Sequence, residues 1–299
     1  MTTKQLTGVF GPVVTTFDRR SDVDLDAFGA NIEAHLDAGL NGIIVCGSTG
    51  EAALLEEPER LRLVEMARSV IDSERWLIVG TGAESTRACI RRCREAATAG
   101  ADAVLVVAPH YYANAMSTAA LLAHYTAVAD ASPVPVLLYN IPKYMHFKLE
   151  PELVSQLALH QNVAGMKDSS GDLVTLEKYL AAQSSAFTVL TGHGGSFHQA
   201  LSLGVRGGIL AVALFAPELS VEVYRAHVSG RTSDGAEAQA RLAPLALEIV
   251  GRMGIGAVKL ALERVGLRGG PVRLPLLPPT PADASQVDAL LREAAVVAA

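Results

Sequence analysis

Cysteine is scarce: the 299 residues hold only three, too few and too scattered for a disulfide framework. Cys46 closes an apolar run. Cys89 and Cys93 stand one helical turn apart in RACIRRCREAA, with no histidine or further cysteine nearby to complete a metal site. They are expected as reduced residues of a helix whose outer arginines (Arg87, Arg91, Arg92, Arg94) form a solvated face. Charge is thin as well, at 19% of residues, while half the chain is hydrophobic, which excludes general disorder. The net charge of −6 argues against nucleic acid or an acidic membrane surface as partner. No apolar run approaches ~18 residues, the length at which a membrane-crossing helix becomes plausible. The first residues, MTTKQLTGVF, lack a basic start followed by a long apolar core, so no signal peptide and a cytoplasmic location are expected.

What the chain does have is a repeated alternation. Apolar strand candidates recur at Val9–Thr15, Gly42–Cys46, Leu77–Gly80, Ala103–Val107, Val134–Asn140, Val163–Lys167, Thr188–Thr191 and Gly208–Ala211, each followed by a helix-compatible segment. Unbroken apolar runs mark strands covered on both faces. Eight βα units predict a closed parallel (β/α)8 barrel over residues 1–225. Asp24 caps the first helical pattern, which ends at Gly39, and Pro58 opens the second, where its missing N–H costs little. From about residue 226 the pattern is helical without strands, so 226–299 is expected to form a helical region packed on the barrel.

In such a barrel the chemistry belongs at the carboxyl ends of the strands. The second strand ends in CGSTGEA, where Ser48 and Thr49 can offer hydroxyl and backbone donors to a carboxylate. The fourth ends in APHYYANAMS, placing Tyr111 and Tyr112 on the same rim. The seventh ends in TGHGGSF, whose Gly192 lets a ligand approach the backbone closely. His193 and His198 lie there without a carboxylate placed to join them as metal ligands, so no metal and no cofactor are expected.

The most pointed signal lies between Pro133 and Asp172. Two apolar runs, PVPVLLYNIP and NVAGMKDSSGD, flank the helical pattern LEPELVSQLALH and so form a βαβ unit with parallel neighbouring strands. Tyr139 and Lys167 end those strands, which brings a phenol and a primary amine to one rim. A lysine in so apolar a setting needs a partner or a function. An amine attacks a carbonyl only in its neutral form, which burial favours, and the product is a protonated Schiff base that acts as an electron sink. Tyr139, one strand away, can relay the proton to and from the departing hydroxyl. The plainer reading pairs Lys167 with Asp168 or Glu51 as a brace for the barrel.

GSTGE, YNIP and GMKDSSGD, in this order and spacing, resemble the pyruvate-type class I aldolases related to dihydrodipicolinate synthase and N-acetylneuraminate lyase. The resemblance runs from Gly11 to about Pro278 and includes the late GGPVRLPL. It implies Lys167 as the Schiff-base lysine, Tyr139 as proton relay, and Ser48 with Thr49 as binders of a 2-oxo acid carboxylate. It also implies that Tyr111 or Tyr112 completes the relay, sometimes across a subunit interface, in a tetramer or other homo-oligomer.

Within that group, dihydrodipicolinate synthases usually carry an arginine two residues after the proline of YN-x-P, where this chain has Tyr144. Neuraminate lyases typically carry acidic residues after the strand-seven glycine, where this chain has GHGGSF. Longer blocks, including GAESTRACI and GIGAVKLALERVGLRGGPVRLPL, resemble 4-hydroxy-2-oxoglutarate aldolase, with Ser169 and Gly192 at its substrate-binding places. The small residues usual there after YN-x-P are replaced by Lys143, Tyr144 and His146. The expected reaction is cleavage of 4-hydroxy-2-oxoglutarate to pyruvate and glyoxylate. The alternatives are a sugar-acid or neuraminate aldolase, a dihydrodipicolinate synthase, a dehydratase or deaminase using the same imine, and a non-catalytic carboxylate-binding barrel.

Overall fold

Each of the eight apolar runs becomes a strand with both faces covered. The computed structural model describes residues 4–298. The strands are β1 (Gly8–Pro12), β2 (Gly42–Val45), β3 (Trp76–Gly80), β4 (Ala103–Val107), β5 (Val136–Asn140), β6 (Val163–Asp168), β7 (Thr188–Thr191) and β8 (Gly207–Ile209). They pair in chain order, all in parallel, and β8 returns to β1 to close the barrel. Six of the eight expected ranges differ by one to three residues at an end, β8 among them, which ends at Ile209 rather than Ala211; three of the differences show a local feature at the boundary. β5 starts at Val136 rather than Val134, because Pro135 has no N–H for the ladder, though its carbonyl still accepts from Val104 N–H at 2.9 Å. β2 stops before Cys46, which turns out of the strand at φ +55°. β1 stops at Pro12, although Val13 N–H still donates to Ile44 O at 3.0 Å.

The helices follow their sequence signals. Asp24 caps α1 (Leu25–Asp37) by accepting from Ala27 N–H, and Gly39 at φ +98° turns the chain back toward β2. Glu56 and Glu59 form a capping box on α2 (Glu57–Val70), with Pro58 in its first turn. Next come α3 (Thr86–Thr98), α4 (Thr118–Ala131), a single turn α5 (Pro142–Met145), α6 (Pro151–Leu157), α7 (Leu173–Leu180), α8 (Phe197–Leu203) and α9 (Pro217–Val228). Cys89 and Cys93 are free thiols buried on the inner face of α3.

Beyond α9 the chain is helical: α10 (Thr232–Pro244), a π-helical stretch Leu245–Met253, α11 (Ile255–Arg264) and α12 (Pro281–Glu293). The widening begins at Pro244, whose missing N–H removes one ordinary helical bond. Two clamps tie this region back to the barrel helices. Asn31 exchanges two hydrogen bonds with the backbone of Arg268, at 2.6 and 3.0 Å. The Arg273 guanidinium forms a fork on the Glu59 carboxylate, both bonds at 2.7 Å. No described helix is long and apolar enough to cross a membrane.

Candidate active site

The register of β5 against β6 pairs Tyr139 with Lys167 and Asn140 with Asp168. Successive side chains on a strand point to opposite faces, so the first pair shares one face and the second pair the other. On the inner face the Lys167 Nζ lies 3.3 Å from the Tyr139 hydroxyl and 4.4 Å from its ring centroid. Both side chains are buried, at 6% and 4% exposure. On the opposite face Asp168 accepts from Asn140 Nδ2 at 2.7 Å and Ser170 Oγ at 2.8 Å. Asn140 Oδ1 in turn accepts from Leu149 N–H at 3.0 Å. Burial holds the Asp168 carboxyl above the usual carboxylate range, partly offset by these hydrogen bonds.

The brace reading of Lys167 is therefore not what the fold builds. Asp168 faces away, and Glu51 is engaged by Lys259, whose Nζ stands 2.5 Å from its Oε1. That contact lacks hydrogen-bond alignment, and Lys259 directs a proper bond to Pro271 O at 2.7 Å. Among the described residues Lys167 has no carboxylate at ion-pair distance.

Tyr139 and Lys167 open into a cavity of about 290 Å³ at the carboxyl end of the barrel. Ser48, Thr49, Ser169 and Gly192 line it with them, so sites read from four separate motifs converge on one space. Ser48 and Thr49 ride on a tight turn: Gly50 N–H donates to Gly47 O and Glu51 N–H to Ser48 O, at 3.0 and 3.2 Å. A Cβ on Gly50 would come within 3.0 Å of Val13 O, so the turn packs backbone against backbone there. Among the described residues neither hydroxyl, Ser48 or Thr49, is bonded to another protein group, leaving both as donors for a ligand.

Tyr111 and Tyr112 are not part of this cavity within the chain. They sit edge to face on the loop after β4, with ring centroids 5.0 Å apart and exposures of 77% and 69%. Glu84 holds the loop by accepting the N–H groups of His110 and Tyr111 at 3.0 and 2.9 Å, and the 3₁₀ turn Ala113–Ala115 then leads away.

The distal end of the cavity was the least legible part of the sequence. Leu247, Val250, Ile255 and Val258, from the π-helical stretch and α11, form an apolar wall. The block GIGAVKLALERVG contains Ile255 and Val258 but gave them no site role, and no motif pointed to Leu247 or Val250, because a wall from another part of the chain leaves no local pattern. Lys143 also lines the cavity and donates to Gly251 O at 2.9 Å. Tyr144 is pushed above the ordinary phenol range, chiefly by burial, so it stays protonated. His193, bonded to Ser196 Oγ at 2.8 Å, is held below the usual imidazole range by burial and is neutral near pH 7. His198 meets α10 through its backbone, its main-chain N–H donating to Gln239 Oε1 at 2.9 Å. Among the described residues no three His, Cys, Asp or Glu side chains gather as a metal site would require.

A lysine, a phenol and two hydroxyls on one barrel rim are suited to imine formation with a 2-oxo acid, and known proteins match the chain over nearly its whole length. The chain matches the Dihydrodipicolinate synthetase family over residues 5–294. It is 34% identical over 273 residues to 4-hydroxy-tetrahydrodipicolinate synthase of Methanothrix thermoacetophila, covering 91% of each chain. It is 33% identical to the enzyme of that name from an Exiguobacterium, covering 91% and 92%. Among solved structures it is similar to the chloride-inhibited dihydrodipicolinate synthase of Acinetobacter baumannii complexed with pyruvate, with a TM-score of 0.93, 29% identity and coverage of 98% and 100%. It is similar also to YagE of E. coli in complex with pyruvate, at 0.91, 29%, and 98% and 99%. With Lys167 and Tyr139 side by side at the rim of a closed barrel, the chain belongs to the dihydrodipicolinate synthetase family and is a lyase of the class I aldolase type.

Proposed function

We propose that this enzyme cleaves 4-hydroxy-2-oxoglutarate to pyruvate and glyoxylate through an imine on Lys167. The observation that carries the reading is the 3.3 Å approach of Lys167 Nζ to the Tyr139 hydroxyl in a cavity walled by Ser48 and Thr49. The amine attacks the 2-oxo carbon, and loss of water gives the protonated imine. Having given its own proton to the departing water, Tyr139 takes the proton of the 4-hydroxyl as the C3–C4 bond breaks, and the electron pair of that bond moves to the imine nitrogen. The aldehyde departs, the enamine takes a proton at C3, and hydrolysis frees pyruvate and Lys167.

Support for a short dianionic substrate comes from the distal lining. Among the described lining residues there is no aspartate or glutamate, so no carboxylate repels a second one or accepts from the hydroxyls of a polyol. Lys143, the Tyr144 hydroxyl and the N–H at Gly194 are the available donors. The pyruvate bound to the Acinetobacter and E. coli relatives supports the same fragment at the imine end. A second reading, condensation as in a 4-hydroxy-tetrahydrodipicolinate synthase, is favoured by the relatives of that name. Tyr144 in place of a cation weighs against it.

We further infer a cytoplasmic homo-oligomer in which Tyr111 or Tyr112 reaches the relay of a neighbouring copy, since both are presented outward on a braced loop. The deciding experiment is borohydride reduction with pyruvate followed by peptide mass analysis. Added mass on the peptide carrying Lys167 is expected. Label on another lysine, or none, would refute the imine. Rate comparison on 4-hydroxy-2-oxoglutarate, N-acetylneuraminate and aspartate semialdehyde with pyruvate then decides the substrate.

A further inference from the structure

The buried ion pair between Glu51 and Lys259 is outside the imine chemistry, yet it touches the binding turn directly. Glu51 follows Ser48, Thr49 and Gly50 and adopts φ +55°, ψ +35°, a left-handed conformation that a non-glycine residue holds only when its surroundings impose it. Its carboxylate is gripped from the C-terminal region alone. Oε1 meets Lys259 Nζ at 2.5 Å, and Oε2 accepts from Arg273 N–H at 2.9 Å. Glu51 and Lys259 are 3% and 1% exposed. Lys259 is fixed further by its bond to Pro271 O and by the Phe17 ring, 4.5 Å away. Arg273 covers the other contact of that ring at 4.2 Å. The turn is also bonded from the barrel, Thr15 Oγ1 donating to Gly50 O at 2.7 Å. Val258, next to Lys259 on α11, lines the cavity, so one helix both walls the site and holds the turn that faces it.

Two charges removed from water are a costly way to hold a loop. Their cost is understandable where the loop must present donors to an anion at a fixed distance, since small misplacements cost binding steeply. We propose that Glu51 and Lys259 are positioning residues for the 2-oxo acid carboxylate, their ion pair holding the Ser48–Thr49 turn at the distance the carboxylate needs. This rests on the reading of Ser48 and Thr49 as carboxylate binders.

The test is the pyruvate concentration dependence of borohydride trapping in Glu51→Gln and in the double variant Glu51→Gln/Lys259→Met, which leaves no buried charge alone. Half-saturating pyruvate should rise about tenfold, as for a lost hydrogen bond to a charged group, while the saturating trapping rate stays within about threefold. Adding Ser48→Ala to Glu51→Gln should then cost less than it costs alone, because both changes remove one interaction. Unchanged half-saturation in a folded variant, or full additivity with Ser48→Ala, would overturn the proposal. Unfolding of both variants would overturn it too, making the pair a stability element. Absence of trapping in the unaltered enzyme would instead bring down the imine reading.

Discussion

Gly192 on the β7 rim faces Lys167 so closely that a Cβ built there would stand 2.6 Å from Lys167 Cε and overlap the Ser169 hydroxyl. The glycine is thus the space in which the Lys167 side chain and the Ser169 hydroxyl sit together. Gly192→Ala is expected to displace both, and a shift of about 1 Å at a reacting group can cost roughly 10²-fold in rate. The pyruvate trapping rate should fall by that order while circular dichroism stays native. An unchanged rate would mean that the amine has room that the packing does not suggest.

Tyr139 meets the Lys167 amine with both its hydroxyl, at 3.3 Å, and its ring, at 4.4 Å, so Tyr139→Phe keeps the ring packing and removes the hydroxyl alone. Turnover should drop by roughly 10²–10⁴-fold, the range for losing a positioned acid–base group. A variant with full turnover would show that another residue moves the proton.

Tyr111 and Tyr112 differ from the other candidates in being exposed, and phenylalanine replacements separate their roles. One of Tyr111→Phe and Tyr112→Phe should lose about 10-fold or more in kcat, as for a relay component. The other should be near normal. Two normal variants would remove this loop from the relay.

Lys143 tests the distal end. Lys143→Met should raise KM for 4-hydroxy-2-oxoglutarate about tenfold, the effect of removing a hydrogen bond to a charged group, and leave half-saturation by pyruvate alone unaltered. Equal effects on both would place Lys143 outside distal recognition, with its Gly251 contact as its whole role.

Two histidines far from the chemistry set a pH limit on stability. Burial pulls both His35 and His124 down from the usual imidazole value to about 4. With the folded value below the unfolded one, the unfolded chain binds protons first as pH falls. Their stabilising contribution is complete above about pH 6.5 and is lost progressively toward pH 4. Tm should decline across that window, and His35→Gln with His124→Gln should flatten the decline. A parallel pH profile in the double variant would assign it to other groups.

Much of this molecule is written locally. The eight apolar runs, the Asp24 cap and the Pro58 start are legible because hydrophobic period and capping chemistry act over a few residues. Tyr139 and Lys167 could be read as neighbours because a βαβ unit dictates parallel adjacency. Their one-to-one register is set by strand pairing that no single segment encodes, whereas alternation along β6 already puts Asp168 on the face opposite Lys167. Lys259 shows the same division. An amine in the apolar run AVKLAL met the same criterion of apolar surroundings as Lys167, yet that criterion by itself does not distinguish a lysine that opens into a cavity from one that closes on Glu51. That distinction, like the wall formed by Leu247, Val250 and Ile255, depends on which distant segment packs over the barrel rim. Such contacts join residues some two hundred positions apart, where packing alone decides.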